Sequence, residues 1–484
     1  MFVFNYICVK IKTMFNKAIF IIFFYFLITS NFCNAQFLPI AVDQSRPEVD
    51  FIQDNNGNRV VRIKEWVSSK YNYHFNFLDE KGTVKRKVTS TLSSSMKYVG
   101  SMNTKSSFIF FYKNTYDSEN IAFYVLNKSE DNNNQLKTLN VFNSKDEKFI
   151  QAISSDNHFI YITYTKESDE LNFYVFKEDL TFKKSSIPIN FKKAYKKFKR
   201  GFTVFYSSIY NNIYNGSSDK KIFISDEKLT FIFDESSSIF SSDKEGTRLL
   251  TYDFVNNKVT TDTFLAIEDE YIKDFSSYYF DNKVYRAVTD SNFVMLQIFD
   301  DKGTFLNESK YHTTDDSFDF CANTVTKQSG MSKPNVITGS KNIVRQLRYG
   351  LLSLTCSKVS SNETMITIGS YVERKSGGVG YGFGINSFMS ACVSISFNND
   401  IIRYSNLLID NKTNKVIPLQ KPLKNVGDIN RSKIQQLKDK GVKPKNFVAF
   451  QHEDDFYISY YSKPDKSVYF EKLEWETNLD EYKK

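Results

Sequence analysis

Tyr71-Asn-Tyr-His-Phe-Asn-Phe-Leu78 runs into Asp79-Glu-Lys-Gly82, and Phe293-Val-Met-Leu-Gln-Ile-Phe299 runs into Asp300-Asp-Lys-Gly303. Each stretch is an aromatic and aliphatic strand that ends in a hairpin turn, and the two turns are near copies. Glycine supplies the positive φ that such a turn needs, and the leading aspartate caps it from its side chain. Both turns continue with threonine and then an apolar residue, Thr83-Val84 and Thr304-Phe305.

Weaker copies share this outline. Ile121–Leu126 precedes Asn127, Leu171–Phe176 precedes Lys177, and Leu249–Val255 precedes Asn256. Ile401–Ile409 precedes Asp410, and Phe456–Ser462 precedes Lys463. The last residues before the turns fall at 78, 126, 176, 255, 299, 409 and 462, and most of the spacings lie near about fifty residues. A second strand often stands just upstream: Phe108–Tyr112, Phe159–Tyr164 and Phe447–Phe450. Each unit therefore reads as three or four antiparallel strands, the size of one propeller blade.

In spacing and strand repeat the chain resembles the β-propeller superfamily. It carries no Trp-Asp dipeptide, kelch glycine pair or Asp-box series, so no narrower family is indicated. The resemblance implies an all-β fold: a single β-propeller of seven or eight blades, with a long insertion and two short helices. The interval from 299 to 409 holds either two units or one with an insertion, placed at about 310–400. The last unit, Asn446 to Trp475, shows three strands, so a strand from Phe37–Val42 or Val60–Trp66 is expected to complete it. The alternative is two stacked β-sandwich domains. Phe159-Ile-Tyr-Ile-Thr-Tyr164 is apolar on both faces, as a strand between two sheets should be. Tyr71–Phe77 alternates, which predicts one solvated face.

Composition agrees with strands: 46 Phe and 30 Tyr stand against 18 Gly and 8 Pro in 484 residues. High lysine and asparagine also fit an AT-rich genome, so lysine alone is not read as chemistry. Residues 1–35 read as a signal peptide whose true start is Met14. Lys17 gives the positive lead, Ala18–Ile28 the apolar run, and Cys33-Asn34-Ala35 the cleavage site. Residues 36–484 then form the propeller-like domain, and cleavage after Ala35 places it in the periplasm or outside the cell. A lipid anchor on Cys33 is disfavoured by the bulky Phe32. Losing Lys10, Lys12 and Lys17 lowers the formal charge from +9 to +6, too mild to imply a nucleic-acid partner. No second apolar run reaches membrane-spanning length, and 25% charged residues argue against an outer-membrane barrel. Cys321, Cys356 and Cys392 sit in strand-like context and read as buried free thiols.

Asn190 to Gly201 reads as a basic amphipathic helix. Phe191, Ala194, Tyr195 and Phe198 share one face. Lys192, Lys193, Lys196, Lys197, Lys199 and Arg200 fill the rest and are candidates for contact with a polyanion or an anionic membrane. A connector helix docked on the ring is the alternative. Asp428 to Lys440 is the second expected helix, with Ile429, Ile434 and Leu437 as its stripe. Ser376 to Gly384 is glycine-rich, but no helix or Gly-Lys-Ser follows it, so it is not a phosphate loop. Gly378, Gly380, Tyr381, Gly382 and Phe383 are instead candidate rim-loop contacts.

Catalytic spacing is not visible. His74, His158, His312 and His452 have no zinc spacing, and no Cys-x-x-Cys, calcium loop or Gly-x-Ser-x-Gly elbow occurs. His452-Glu453-Asp454-Asp455 and Asp315, Asp316 and Asp319 are the densest titratable groups, and solvated turns explain both. No catalytic, metal or cofactor-binding residue is assigned, and no cofactor is expected. The sequence thus points to an exported, monomeric binding or scaffolding protein that contacts a protein or glycan in the cell envelope. The alternatives are a carbohydrate-active hydrolase or lyase, whose carboxylates would converge from different blades, and an envelope-associated protein held by the 190–200 helix.

Overall fold

A computed structural model describes the chain over residues 39–473. It leaves out 42–47, 190–200, 207–212, 236–244, 373–392, 395–400, 425–431 and 441–444, together with shorter stretches between strands. The described residues form seven sheets that follow one another along the chain.

A short strand, β1 (Ile40–Ala41), comes first. The first sheet is β2 (Glu48–Gln53), β3 (Arg59–Val67), β4 (Lys70–Leu78) and β5 (Val84–Ser93). The second is β6 (Met96–Asn103), β7 (Ser107–Asn114), β8 (Asn120–Asn127) and β9 (Gln135–Asn140). The third is β10 (Glu147–Ser154), β11 (Phe159–Thr165), β12 (Glu170–Phe176) and β13 (Phe182–Pro188). In the fourth, β14 (Thr203–Tyr206) and helix α1 (Ile213–Gly216) precede β15 (Lys220–Ile224), β16 (Lys228–Glu235), β17 (Gly246–Asp253) and β18 (Lys258–Ala266). The fifth is β19 (Asp274–Phe280), β20 (Lys283–Thr289), β21 (Phe293–Asp300) and β22 (Phe305–His312).

The sixth sheet is larger. It takes β23 (Thr324–Ser329), β24 (Asn335–Thr338), β25 (Leu351–Lys358) and β26 (Glu363–Val372), with helix α2 (Ser340–Leu347) before β25. The chain then contributes β27 (Val393–Ser394) to the last sheet and returns as β28 (Ile401–Asp410) and β29 (Val416–Ile417). The seventh sheet is β30 (Lys445–His452), β31 (Asp455–Ser462) and β32 (Ser467–Leu473), edged by β27 on one side and β1 on the other. Ile40 pairs with Val468. A strand from Phe37–Val42 therefore completes the last unit, while Val60–Trp66 belongs to β3.

The seven repeated strands of the sequence fall one to a sheet: in β4, β8, β12, β17, β21, β28 and β31. The two near-copy turns share a mechanism. The Asp79 carbonyl accepts the Gly82 N–H at 3.0 Å and its carboxylate accepts the Thr83 N–H at 2.8 Å. Asp300 repeats this with Gly303 at 3.1 Å and Thr304 at 2.7 Å. Gly82 and Gly303 have φ of 74° and 88°.

Consecutive sheets pack face to face through aromatic side chains. Phe75 of the first stacks on Tyr124 of the second at 5.5 Å. Phe111 of the second stacks on Phe159 of the third at 3.8 Å, and both rings are fully buried. Truncating a ring so placed costs about 3–5 kcal/mol. Phe173 meets Tyr252 between the third and fourth sheets. Phe205 and Phe223 flank Tyr278 between the fourth and fifth. Tyr285 packs with Leu354 and Cys356 between the fifth and sixth. Tyr457, Tyr461 and Val468 of the last sheet pack on Val61, Ile63 and Leu78 of the first. This is a propeller-like all-β fold, in which the first six sheets pack on one another in succession and the last packs on the first.

The structure corrects one expectation and adds to another. The second face of Tyr71–Phe77 is not solvated. It lies in the seam with the last sheet, so Asn76 is buried and donates to the Val61 carbonyl at 3.3 Å. Two helices add to those expected. Residues 190–200 lie outside the described residues, whereas α1 and α2 were not foreseen. Of 428–440, Ser432, Lys433, Gln436, Leu437 and Asp439 are helical, with Leu437 buried as the stripe predicts. The long 299–409 interval is one enlarged sheet with its helix and not two units.

Candidate functional site

Tyr349, Gly350 and Leu351 link α2 to β25. Ile343, Val344 and Leu347 bury one stripe of α2 in the core shared by the fifth and sixth sheets. The helix stops at Leu347 with Arg348 as its cap. Gly350 then turns the chain directly into β25 at φ 123°, where a Cβ would stand 2.4 Å from the Tyr371 carbonyl oxygen. That conformation and that space admit only glycine. The result is that Tyr349 and Leu351 project outward, each 59% exposed.

Two further groups define this face. Leu351 pairs across the strands with Tyr371, and Tyr371 meets Tyr214 of α1 edge to face at 4.9 Å. Tyr214 is 49% exposed. Arg403 of β28 is buried and supports the loop from below. Its guanidinium lies 4.4 Å from the Tyr349 ring centre and donates to the Tyr349 carbonyl at 3.1 Å and to the Gln346 side chain at 2.8 Å. Helix α1 is itself fastened to β25 and β19, because Ser353 donates to the Ile213 carbonyl and Ser276 to the Gly216 carbonyl at 2.9 Å. Three large side chains thus stand on a rigid, hydrogen-bonded base. They can stack on or cover a flat ligand.

A second constellation lies in the first sheet. Glu65 on β3 is 2% exposed and sits 2.9 Å from His74 Nε2. His74 Nδ1 lies 3.0 Å from Thr89 Oγ1 on the exposed strand β5. A carboxylate only accepts, so Nε2 carries a hydrogen, and in the neutral ring Nδ1 accepts from the threonine hydroxyl. This is a carboxylate–imidazole–hydroxyl relay, the arrangement that activates a hydroxyl nucleophile. The alternation of Tyr71–Phe77 put His74 on the polar face. The hairpin register that brings Glu65 and Thr89 to it comes only from the fold.

Other polar groups are closed on themselves. Lys221 is fully buried, 3.0 Å from Asp234 and 3.2 Å from Ser276. Asp234 also accepts from Thr247 at 3.0 Å and from the Ser277 N–H at 2.9 Å. Glu147 accepts from Thr163, Lys184 and Tyr174. Burial and the neighbouring Glu147 push the Tyr174 hydroxyl well above the usual tyrosine range. Asp274 accepts the Leu352 N–H at 2.6 Å, and burial raises its carboxyl above the ordinary aspartate range.

Most residues singled out from the sequence fall elsewhere. Lys192, Lys193, Lys196, Lys197, Lys199 and Arg200 lie outside the described residues, as do Gly378, Gly380, Tyr381, Gly382 and Phe383. Glu453, Asp454 and Asp319 also lie outside them. Asp315 caps the His312 N–H at 2.7 Å, a turn role. Cys321 and Cys356 are buried free thiols, as expected, while Cys392 lies outside the described residues. Among the described residues no group of three or more His, Cys, Asp or Glu side chains could hold a metal ion, and no helix is long and apolar enough to cross a membrane.

No family model matches the chain, and no curated protein matches it. Among solved structures, a Synechocystis apocarotenoid oxygenase aligns over 56% of this chain and 64% of its own, at 10% identity and a TM-score of 0.27. A structure from a study of two prolyl endopeptidases aligns over 87% of this chain and 48% of its own, at 9% identity and a TM-score of 0.36. The chain therefore spans less than two thirds of each of these proteins, and at these values neither likeness bears on function.

Proposed function

We propose that this chain is an exported binding protein, built as a seven-bladed propeller, that contacts a protein or glycan of the cell envelope through the exposed face of its sixth blade. The observation that carries this reading is Tyr214, Tyr349 and Leu351, three large side chains left half-exposed or more around the start of one strand. Clustered exposed aromatics on a rigid base are typical of contact sites. The blade count follows the seven sheets, and the pairing of β1 with β32 supports a ring tied at its ends. Export is supported by the Met14–Ala35 pattern. A photo-crosslinking residue at position 349 tests the contact in intact envelopes. Discrete adducts are expected from position 349 and none from a control at Lys258 on β18. Equal adducts from both positions, or none from either, would reject it.

The Glu65–His74–Thr89 relay favours a second reading, an esterase acting on acylated polysaccharide. Thr89 would attack the ester carbonyl while His74 takes its proton and returns it to the departing alcohol oxygen, water activated by the same imidazole would then release the acyl group as its acid, and Glu65 would hold the ring. Turnover of acyl esters that Thr89→Val and His74→Ala both abolish is the expected result. Hydrolysis unaffected by either change would eliminate the relay.

A further inference from the structure

Resting on that contact face, we infer that its ligand is an acidic polysaccharide, one whose sugar rings carry carboxylate or sulfate groups. The solvent side of α2 is basic. Lys341, Arg345 and Arg348 follow one another at helical spacing and fall within about a 60° sector of the helix. Lys341 and Arg345 are exposed, Arg348 partly so, and none of the three has an ion-pair partner among the described residues. No acidic residue stands in the first turn of α2. The row of cations leads straight into Tyr349, with Leu351 and Tyr214 beyond it.

The two halves of this surface ask for different things from one ligand. Guanidinium groups present paired N–H donors that suit the oxygens of carboxylates and sulfates. Exposed tyrosine rings offer flat apolar faces to the C–H faces of sugar rings. A neutral glycan would leave three cations unmatched. An acidic polysaccharide presents a charge and an apolar ring face in each repeat and satisfies both halves. Arg403, packed under the Tyr349 ring, is a positioning residue that fixes this tyrosine relative to α2.

The test uses the purified chain beginning at Gln36 with fluorescent polygalacturonate, neutral dextran and a single-stranded oligonucleotide as probes. Polygalacturonate is expected to bind saturably, with affinity falling as salt rises. Lys341→Gln with Arg345→Gln and Arg348→Gln should weaken it at least tenfold at low salt. Tyr349→Ala with Tyr214→Ala should weaken it several-fold at both low and high salt. A charge-matched control, Lys85→Gln with Lys87→Gln and Lys258→Gln on exposed outer strands, should change affinity less than twofold. All variants replace exposed or half-exposed side chains, and matching thermal melts confirm that they are folded. Dextran bound as tightly as polygalacturonate, with loss in the tyrosine variant, would overturn the acidic class while leaving the contact face standing. An oligonucleotide bound as tightly as polygalacturonate would also overturn the class. Polygalacturonate binding that ignores both variants, or no binding at all, would overturn the inference. The crosslink at position 349 then decides separately whether the face contacts a protein instead.

Discussion

Asp234→Asn isolates the most deeply buried charge pair described in the molecule. Lys221 is fully buried and Asp234 nearly so, and the two stand 3.0 Å apart between the fourth and fifth sheets. The substitution keeps the shape but leaves one oxygen where the carboxylate uses two, Oδ1 for Thr247 and Oδ2 for Lys221 and the Ser277 N–H, and it strips Lys221 of its counter-charge. Breaking one half of a buried pair costs about 3–5 kcal/mol, because the remaining ion keeps its desolvation penalty. Unfolding entropy of about 2.1 cal/mol/K per residue gives roughly 0.9 kcal/mol/K for a chain of this size. A loss of about 4 kcal/mol therefore lowers Tm by only about 4 °C, so urea titration is the better assay. Lys221→Met combined with Asp234→Asn removes the stranded cation and should be more stable than Asp234→Asn alone. An Asp234→Asn variant that loses less than about 1 kcal/mol, or a double variant weaker than either single one, would refute a pair held in a dry interface.

Three further outcomes follow from the structure. Burial and the nearby Lys97 lower the Lys113 ammonium to about 8, so between about pH 8 and its ordinary value the unfolded chain binds more protons and stability rises with pH; Lys113→Met should remove that rise in urea midpoints compared across the window, and parallel profiles would reject it. Burial raises the Cys321 thiol to about 12 and the Cys356 thiol well above the usual range, so in a Cys392→Ser background neither should react with a thiol reagent at pH 8 until the chain is unfolded, and rapid labelling of the native protein would contradict the packing. Gly350→Ala should cost about 1–3 kcal/mol, because its φ of 123° and the 2.4 Å approach to the Tyr371 carbonyl leave no place for a Cβ; an unchanged melting curve would show that the link between α2 and β25 is not constrained as described.

The strand repeat was legible because its determinants are local. An aromatic strand, an aspartate that caps its own turn and a glycine at positive φ need no distant partner, so Leu78 and Phe299 mark equivalent places in two sheets before any fold is known. The doubly apolar Phe159–Tyr164 likewise announced a strand covered on both sides. The polar side of Tyr71–Phe77 misled, because alternation records which residues share a face and not what covers that face. Here the last sheet covers it, and burial turns His74 and Asn76 from wet residues into partners of Glu65 and the Val61 carbonyl.

The sequence by itself determined the β character of the chain and the positions of seven repeated strands and their turns, each written in residues within a few positions of one another. Only the tertiary structure decided that Ile40 lies beside Val468, that the link from α2 into β25 exposes Tyr349, and that Tyr214 reaches Tyr371 from helix α1. Those contacts join residues far apart in the chain. Their geometry depends on how whole sheets stack, which no local pattern of side chains encodes.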